Sequence, residues 1–161
     1  MAHIVVADTG PLNYLLLIGH IDLLPRLFEA VHIPDAVHAE LSDIRAPQIV
    51  RDWISAPPSW LLVAPTSGNF VFSEKLDAGE QAAIVLAVQL KAELLLIDDR
   101  AGVRAALARG IEAVGTLGVL DQAATAGLID LPGALARLGA TNFHVRQPIV
   151  DALLAKHAGG G

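Results

Sequence analysis

Cysteine is absent from the sequence, and its absence excludes two kinds of site. A chain of 161 residues without thiols has neither a disulfide framework nor thiolate ligands for a metal ion. The absence is compatible with a cytoplasmic protein, and we expect this one to be cytoplasmic. No apolar run approaches the ~20 residues that a membrane span needs, and the short run at 15–18 lacks a basic leader. We therefore expect neither a membrane span nor a signal peptide.

Aromatic residues and positive charge are scarce as well. Aromatic residues make up 4% of the chain, which argues against stacking of nucleobases as the main mode of binding. The formal net charge is −6 and the pI is near 5.4, so the chain as a whole does not resemble a simple polyanion binder. A bound cation or a local cluster of arginines would still bring a phosphodiester to an acidic protein.

Apolar residues are abundant, and they occur in short runs that alternate with helical segments. They make up 53% of the chain, and the mean hydropathy is +0.52. Strands are predicted at 4–7, 31–33, 94–97 and 111–114, with a further apolar run at 60–63. Helices are predicted at about 11–19, 21–28, 34–41, 47–55, 77–90, 101–108 and 116–126, and in two pieces over 131–157.

This alternation predicts an α/β fold, in which a central, mostly parallel sheet carries helices on both faces as a three-layer α/β/α sandwich. We expect a single domain over residues 1–158, followed by a flexible tail at 159–161. The high apolar content also indicates a subunit interface. We therefore expect a homodimer that uses the apolar helix around Leu12–Leu17 and the helix at 47–55.

Isolated acids follow two of the predicted strands. Asp8 comes directly after the run at 4–7, and Asp98 and Asp99 come directly after the run at 94–97. Carboxylates in these positions lie at the carboxyl edge of a parallel sheet, where open α/β folds bind their ligands. Asp8 would equally serve as the N-cap of the next helix, and either Asp98 or Asp99 would cap the helix that follows them. We favour Asp98 as the inner group and Asp99 as a supporting one.

Two glutamates can reach the same edge from helices. Asp77 and Glu80 have the spacing of a capping box, yet Glu80 also heads an apolar stripe with Ala83, Ile84 and Ala87 that should face the sheet. Its helix runs antiparallel to the following strand, so its first turn lies at the carboxyl edge.

Glu40 borders the apolar face of the helix at 34–41, and its side chain should lean back toward that edge. Taken alone, Glu40 is also typical of a solvated helix residue.

Clustered carboxylates repel one another, and a cluster that stays ionised needs a cation. An all-oxygen set without cysteine suits Mg²⁺ or Mn²⁺ better than Zn²⁺. The six histidines form no H-x-x-E-H or H-E-x-x-H pattern and are interpreted as structural or solvated. Pairs of metal ions at such sites assist in-line displacement at phosphodiesters by activating water and stabilising the leaving oxygen.

Five segments in this order resemble the PIN-domain family, in particular its VapC-like, DUF3368-type group. They are Asp8-Thr9-Gly10-Pro11-Leu12, the helix from Ile33 to Leu41, the segment from Leu76 to Ile84, Leu95-Leu96-Ile97-Asp98-Asp99-Arg100, and Gly115-Thr116-Leu117-Gly118-Val119-Leu120. The resemblance covers residues 4–130.

The resemblance implies an α/β/α sandwich whose acids hold Mg²⁺ or Mn²⁺ and cleave RNA. Carried over, the catalytic and metal-binding acids fall on Asp8, Glu40, Glu80 and Asp98. Asp99, the supporting acid next to Asp98, is a further candidate metal ligand. It also implies the toxin of a type II toxin–antitoxin pair, with an antitoxin protein as partner. One departure is Gly10, where this group commonly has a serine whose hydroxyl would hydrogen-bond a metal-bound water.

Four residues around these acids are candidates for binding the RNA. Thr9 and Thr116 lie within the matching segments. Arg100 and Arg104 are spaced i, i+4 on the helix after Asp98, so both can line one rim of the acidic crevice and hold phosphates with their planar guanidinium groups. The alternative is that both arginines pair with neighbouring acids or with solvent.

Three other functions compete with the nuclease. Asp8-Thr9-Gly10 matches the aspartic-protease signature, but those folds are all-β and need two such aspartates that share a proton. A dinucleotide-binding site is excluded because no G-x-G-x-x-G follows the first strand. The remaining alternative is a non-catalytic PIN-like module that binds metal weakly or acts through a protein partner.

Overall fold

A computed structural model describes residues 4–68 and 70–158, and its centre is a parallel sheet. The predicted tail at 159–161 lies outside the described residues. The strands are Val5–Ala7 (β1), Val31–Pro34 (β2), Leu61–Ala64 (β3), Leu94–Leu96 (β4) and Glu112–Val114 (β5). Their order across the sheet is β3-β2-β1-β4-β5, and every neighbouring pair is parallel.

Helices connect the strands and cover both faces of the sheet. In the described part of the chain they are Thr9–Leu17 (α1), Leu23–Leu27 (α2), Asp35–Ser42 (α3), Gln48–Ser55 (α4), Ala78–Leu90 (α5), Arg100–Ala108 (α6), Thr116–Thr125 (α7), Leu131–Gly139 (α8) and Gln147–His157 (α9). Alternate residues of β1 enter two separate cores: Val5 and Ala7 pack with α1, and Val6 packs with Ile84 and Leu95 on the other face. The predicted α/β/α sandwich is confirmed.

The pairing of β1 with β4 brings two of the acid-bearing strand ends together. Val5 pairs with Leu94 and Ala7 pairs with Leu96, so both strands end at the same level of the sheet. The Asp8 backbone N–H extends this pairing by donating to the Leu96 carbonyl oxygen at 2.8 Å. Asp8 and Asp98 therefore both follow the carboxyl edge, as the sequence predicts.

Helix α1 begins at Thr9, two residues earlier than predicted, with Asp8 at the N-cap position. Its side chains Leu12, Leu15 and Leu16 are buried in the core of the same chain. They are therefore unavailable for the subunit interface that the sequence suggested for this helix. In α4, Val50 and Ile54 are also buried, and Ile49 remains 52% exposed. The homodimer itself stays a prediction.

No helix within residues 4–68 and 70–158 combines the length and the apolar character that crossing a membrane requires.

Candidate active site

Asp8 is buried without all of the hydrogen bonds that a buried carboxylate normally makes. It is only 7% exposed, and its side chain does not cap α1 although it stands at the N-cap position. Its Oδ1 atom is buried without any hydrogen-bond partner. Burial raises the pKa of Asp8 to about 7, with a smaller upward contribution from the charges of Asp77, Glu80 and Glu40, while the Thr9 backbone amide acts in the opposite direction. The simple capping role considered for Asp8 is therefore not what its side chain does.

Glu40 reaches the site from the last turns of α3. The Thr9 hydroxyl donates a hydrogen bond to Glu40 Oε2 at 2.6 Å, which ties α3 to the start of α1. The glutamate also lies against Gly79 in the first turn of α5, where a Cβ atom would overlap Glu40 Oε1 and lie 2.8 Å from its Cδ. Glu40 is thus half-buried between two helix N-termini and is not a solvated surface residue.

Glu80 forms the capping box that its spacing predicts, and it is nevertheless buried beside the site. Its backbone N–H donates to Asp77 Oδ1 at 2.7 Å, and the Asp77 backbone N–H donates to Glu80 Oε1 at 2.9 Å. The residue is 9% exposed. Burial raises the pKa of Glu80 to about 7, and the charges of Asp77 and Asp99 add to the increase. The structural and the functional interpretations of this residue are therefore compatible.

Asp98 lies between two glycines at the end of β4. Its Oδ1 accepts the Thr116 backbone N–H at 2.6 Å, and its Oδ2 accepts the Thr116 hydroxyl at 2.8 Å. A Cβ atom at Gly10 would lie 3.2 Å from Asp98 Oδ2, and one at Gly115 would lie 2.6 Å from Oδ1. Burial raises the pKa of Asp98, and the two hydrogen bonds from Thr116 counteract it. Gly10 therefore leaves room for Asp98, and a serine there would press on this carboxylate.

The acids are not equally close to one another. The charges of Glu40 and Glu80 act on Asp8, whereas Asp98 is not among the charges that raise the pKa of Asp8 and is held by Thr116. In the part of the chain that the structure describes, no three acidic or histidine side chains are gathered tightly enough to hold a metal ion by themselves. The quartet predicted from the sequence shares one edge of the sheet but does not form a closed cage.

Asp99 and Asp77 also contribute to the electrostatics of the site, although the sequence indicated this only in part. Asp99 is exposed and caps α6, because its Oδ2 accepts the Gly102 backbone N–H at 3.0 Å. Its charge still contributes to the raised pKa of Glu80. The sequence predicts Asp77 only as a cap, yet its charge raises the pKa of both Asp8 and Glu80. The signal for Asp77 was its place at the N-cap of a helix that begins at the carboxyl edge.

The four residues predicted to bind RNA differ in what they contact. The hydroxyls of Thr9 and Thr116 donate to Glu40 and Asp98, so both threonines position acids of the site. Arg100 lines a pocket together with Asp98, and Arg104 lies one turn further along α6, outside that pocket. Both arginines are exposed, and neither pairs with a carboxylate among the described residues.

The residues present fit a hard divalent cation. Asp8 Oδ1 is a buried carboxylate oxygen without a partner, and a metal ion would both satisfy it and favour its ionised form. The acids at this edge offer only oxygen ligands, which Mg²⁺ and Mn²⁺ prefer. Mg²⁺ needs only one or two protein carboxylates because it retains several of its water ligands. An open arrangement of acids is therefore sufficient.

A family model described as a PIN domain, DUF3368, matches residues 4–158 of the chain. The chain belongs to the PIN-domain family. No curated protein matches it. Among solved structures, this PIN domain is similar to a PilT N-terminus domain protein, SSO1118, from the hyperthermophilic archaeon Sulfolobus solfataricus P2. The TM-score is 0.51 at 14% sequence identity, and the alignment covers 89% of this chain and 99% of that one. This likeness shows the fold alone.

Membership of the family confirms the resemblance found in the sequence. PIN domains are generally nucleases, and they are commonly metal-dependent. The assignment of this PIN domain to the VapC-like group stays a prediction. The match extends beyond residue 130, where the resemblance ended, and includes α8 and α9.

Proposed function

We propose that this PIN domain is a Mg²⁺- or Mn²⁺-dependent endoribonuclease that hydrolyses RNA phosphodiester bonds in the cytoplasm. The observation that carries the proposal is Asp8, a buried carboxylate with an unpartnered oxygen at the carboxyl edge of the sheet. Leaving such a group unpaired costs stability, so its retention is best explained by a ligand that is itself positively charged. Membership of a family of metal-dependent nucleases supports the same conclusion.

Each acid of the site would have a distinct role in this reaction. Asp8 and Glu80 would hold the metal ion, and Glu40 would support them from the position that Thr9 fixes. Asp98 would face the same crevice, oriented by the amide and the hydroxyl of Thr116. When bound, the metal ion would activate water and stabilise the departing oxygen of the phosphodiester. The preset hydrogen bonds keep the carboxylates in place, so less reorganisation is needed when RNA arrives.

Cleavage of a single-stranded RNA by the purified chain tests this proposal. We expect degradation that requires Mg²⁺ or Mn²⁺, stops on addition of EDTA, and is lost in Asp8→Asn, since the neutral amide is a much poorer metal ligand. Asp22→Asn is the matched control, because Asp22 is exposed and its side chain caps nothing. Equal degradation by Asp8→Asn and the unsubstituted chain would assign the activity to a contaminant and contradict the proposal.

We further propose that the nuclease is the toxin of a type II pair and is inhibited by an antitoxin protein. The support is the similarity of its five segments to the VapC-like group. Induced expression should arrest growth in the unsubstituted form and not in Asp8→Asn, and sequencing of RNA ends should reveal a defined cleavage site. Unimpaired growth with intact RNA at full expression would contradict a toxin.

A non-catalytic module is the second candidate, and a specific observation favours it. Both oxygens of Asp98 are already hydrogen-bonded by Thr116, and Gly10 lacks the hydroxyl common in the VapC-like group. Under this alternative, Mg²⁺ would raise the melting temperature in an Asp8-dependent manner while RNA stayed intact. The two measurements together therefore separate a metal-binding module from a nuclease.

A further inference from the structure

The segment between α8 and α9, residues 140–146, is anchored beside the candidate active site by tertiary contacts. The Tyr14 hydroxyl of α1 donates to Asn142 Oδ1 at 2.8 Å, and the rings of Tyr14 and Phe143 meet edge to face with centroids 4.9 Å apart. The Thr141 hydroxyl donates to the carbonyl oxygen of Leu138 in α8 at 2.6 Å and accepts the Phe143 N–H at 3.1 Å. The segment therefore has a defined course.

Tyr14 also locates this segment relative to the acids. Burial raises the pKa of the Tyr14 phenol, and the charge of Asp98 raises it further, so the phenol lies within electrostatic reach of Asp98. Phe143, which Tyr14 contacts, lines a pocket together with Asp98, so the segment lies on the Asp98 side of the site. We call residues 140–146 the C-terminal wall.

A pocket of about 290 Å³ separates the C-terminal wall from Asp98. Asp98 and Gly115 form one side of it, and Arg100 lies at the start of α6. His144 and Arg146 come from the C-terminal wall, and Arg146 stands at the N-cap position of α9. The pocket therefore combines one carboxylate, Asp98, with the cationic side chains Arg100 and Arg146.

The charges of this pocket favour an anion that also approaches the acids. The chain carries a net charge of −6, yet here two guanidinium groups, Arg100 and Arg146, are exposed with no carboxylate partner in the ranges 4–68 and 70–158. Guanidinium groups bind phosphates through paired donors, and the start of α9 adds the positive end of a helix dipole. Because Asp98 would repel a bare phosphate, the anion should contact the two guanidinium groups and not the carboxylate.

We propose that this pocket binds a backbone phosphate of the RNA that flanks the scissile one, through Arg100 and Arg146, with His144 as an additional donor. This assignment rests on the proposed function, since it takes the scissile phosphate to lie at the acids. It places Arg104, one turn further along α6, outside the RNA path. The C-terminal wall is therefore part of the substrate-binding surface, and α9 contributes its N-terminus to that surface.

Salt-dependent binding of a labelled single-stranded RNA, followed by fluorescence anisotropy with the full chain in EDTA, tests the assignment. Each phosphate contact to a single strand contributes about 0.7 to the slope of log K against log salt, so Arg100→Gln and Arg146→Gln should each lower the slope by about 0.7. Relative to the unsubstituted chain, each variant should therefore bind RNA about fivefold more weakly at ~0.1 M salt, if the two bind equally at ~1 M. Arg104→Gln, on the same helix, and Arg26→Gln, an exposed arginine of α2, are the matched controls and should leave affinity and slope unchanged.

The possible results separate this assignment from the proposed function. If the unsubstituted chain cleaves RNA in Mg²⁺ and Asp8→Asn does not, but Arg146→Gln binds RNA as Arg26→Gln does, the pocket assignment is wrong and the nuclease stands. If the unsubstituted chain neither binds nor cleaves RNA, both are overturned. If Arg146→Gln loses affinity for a polyglutamate peptide while its RNA affinity is unchanged, the pocket belongs to an acidic protein segment instead.

Discussion

The substitution Asp8→Asn should stabilise the metal-free protein, and it should do so more strongly as the pH rises. Burial shifts the pKa of Asp8 from 3.8 to about 7. In the folded chain the carboxyl therefore keeps its proton across a range in which the unfolded chain has already lost it. The unfolded state binds fewer protons there, so the free energy of unfolding falls as the pH rises from about 4 to about 7.

The size of this effect follows from the same two values. At about 1.4 kcal/mol per pH unit, the full difference is about 4 kcal/mol, and most of it develops above about pH 5. The asparagine side chain cannot ionise, so the variant escapes this loss. The cost of placing an amide in the buried environment of Oδ1 does not depend on pH, and it cancels when two pH values are compared.

Urea unfolding in EDTA at about pH 5 and about pH 8 measures the effect. We expect the free energy of unfolding of Asp8→Asn, minus that of the unsubstituted chain, to increase by about 3 kcal/mol between these conditions. Adding Mg²⁺ at the higher pH should reverse the order, because the ion stabilises only the form that binds it. A difference that is the same at both pH values would refute the reasoning, since it would mean that Asp8 titrates normally in the folded chain.

Three further predictions concern the surroundings of the acids and the association of the chain. Gly79→Ala should displace Glu40 and reduce RNA cleavage by about tenfold or more, and normal cleavage would show that Glu40 is dispensable. The free energy of unfolding should change by no more than about 1 kcal/mol, because the atoms that the new methyl group meets are at the end of a flexible side chain. Thr116→Val should lower the free energy of unfolding by about 1.5–3 kcal/mol at neutral pH, since it removes a hydroxyl donor from the partly buried carboxylate of Asp98. A negligible loss in urea unfolding would contradict this. Light scattering at micromolar concentration should give the mass of a dimer for the unsubstituted chain, and the mass of a monomer would contradict the dimer hypothesis. The double substitution Ile44→Glu and Ile49→Glu should give a monomer, because it places charges on exposed apolar residues near the start of α4.

Much of the fold was predictable because its signals are local. The run Leu94–Ile97 is apolar throughout since β4 is buried on both faces, and the acid that follows it has to lie at the carboxyl edge. The capping box of Asp77 and Glu80 was likewise readable from a spacing of three residues.

Other features depend on tertiary packing and left no local signal. Leu12, Leu15 and Leu16 suggested an interface between subunits, but an apolar helix has the same composition whether its neighbour is another chain or its own core. Arg100 and Arg104 lie one helical turn apart, so the sequence gives no reason to prefer either as an RNA ligand. Only the position of the C-terminal wall shows that Arg100 lines the pocket and Arg104 does not. That wall was predicted merely as the gap between two helices, because its course depends on Tyr14, more than a hundred residues away in the chain.

Helix α1 fixes the separation of the two sides of the site. Thr9 in its first turn holds Glu40, and Tyr14 holds Asn142 and Phe143. Five residues of helix, about 7.5 Å of rise, separate these two attachments. The distance between Glu40 and the C-terminal wall is therefore set by the length of helix α1. Inserting a single residue between Thr9 and Tyr14 would rotate the tyrosine by about 100° around the helix axis, and the C-terminal wall would lose its anchor while Glu40 kept its own.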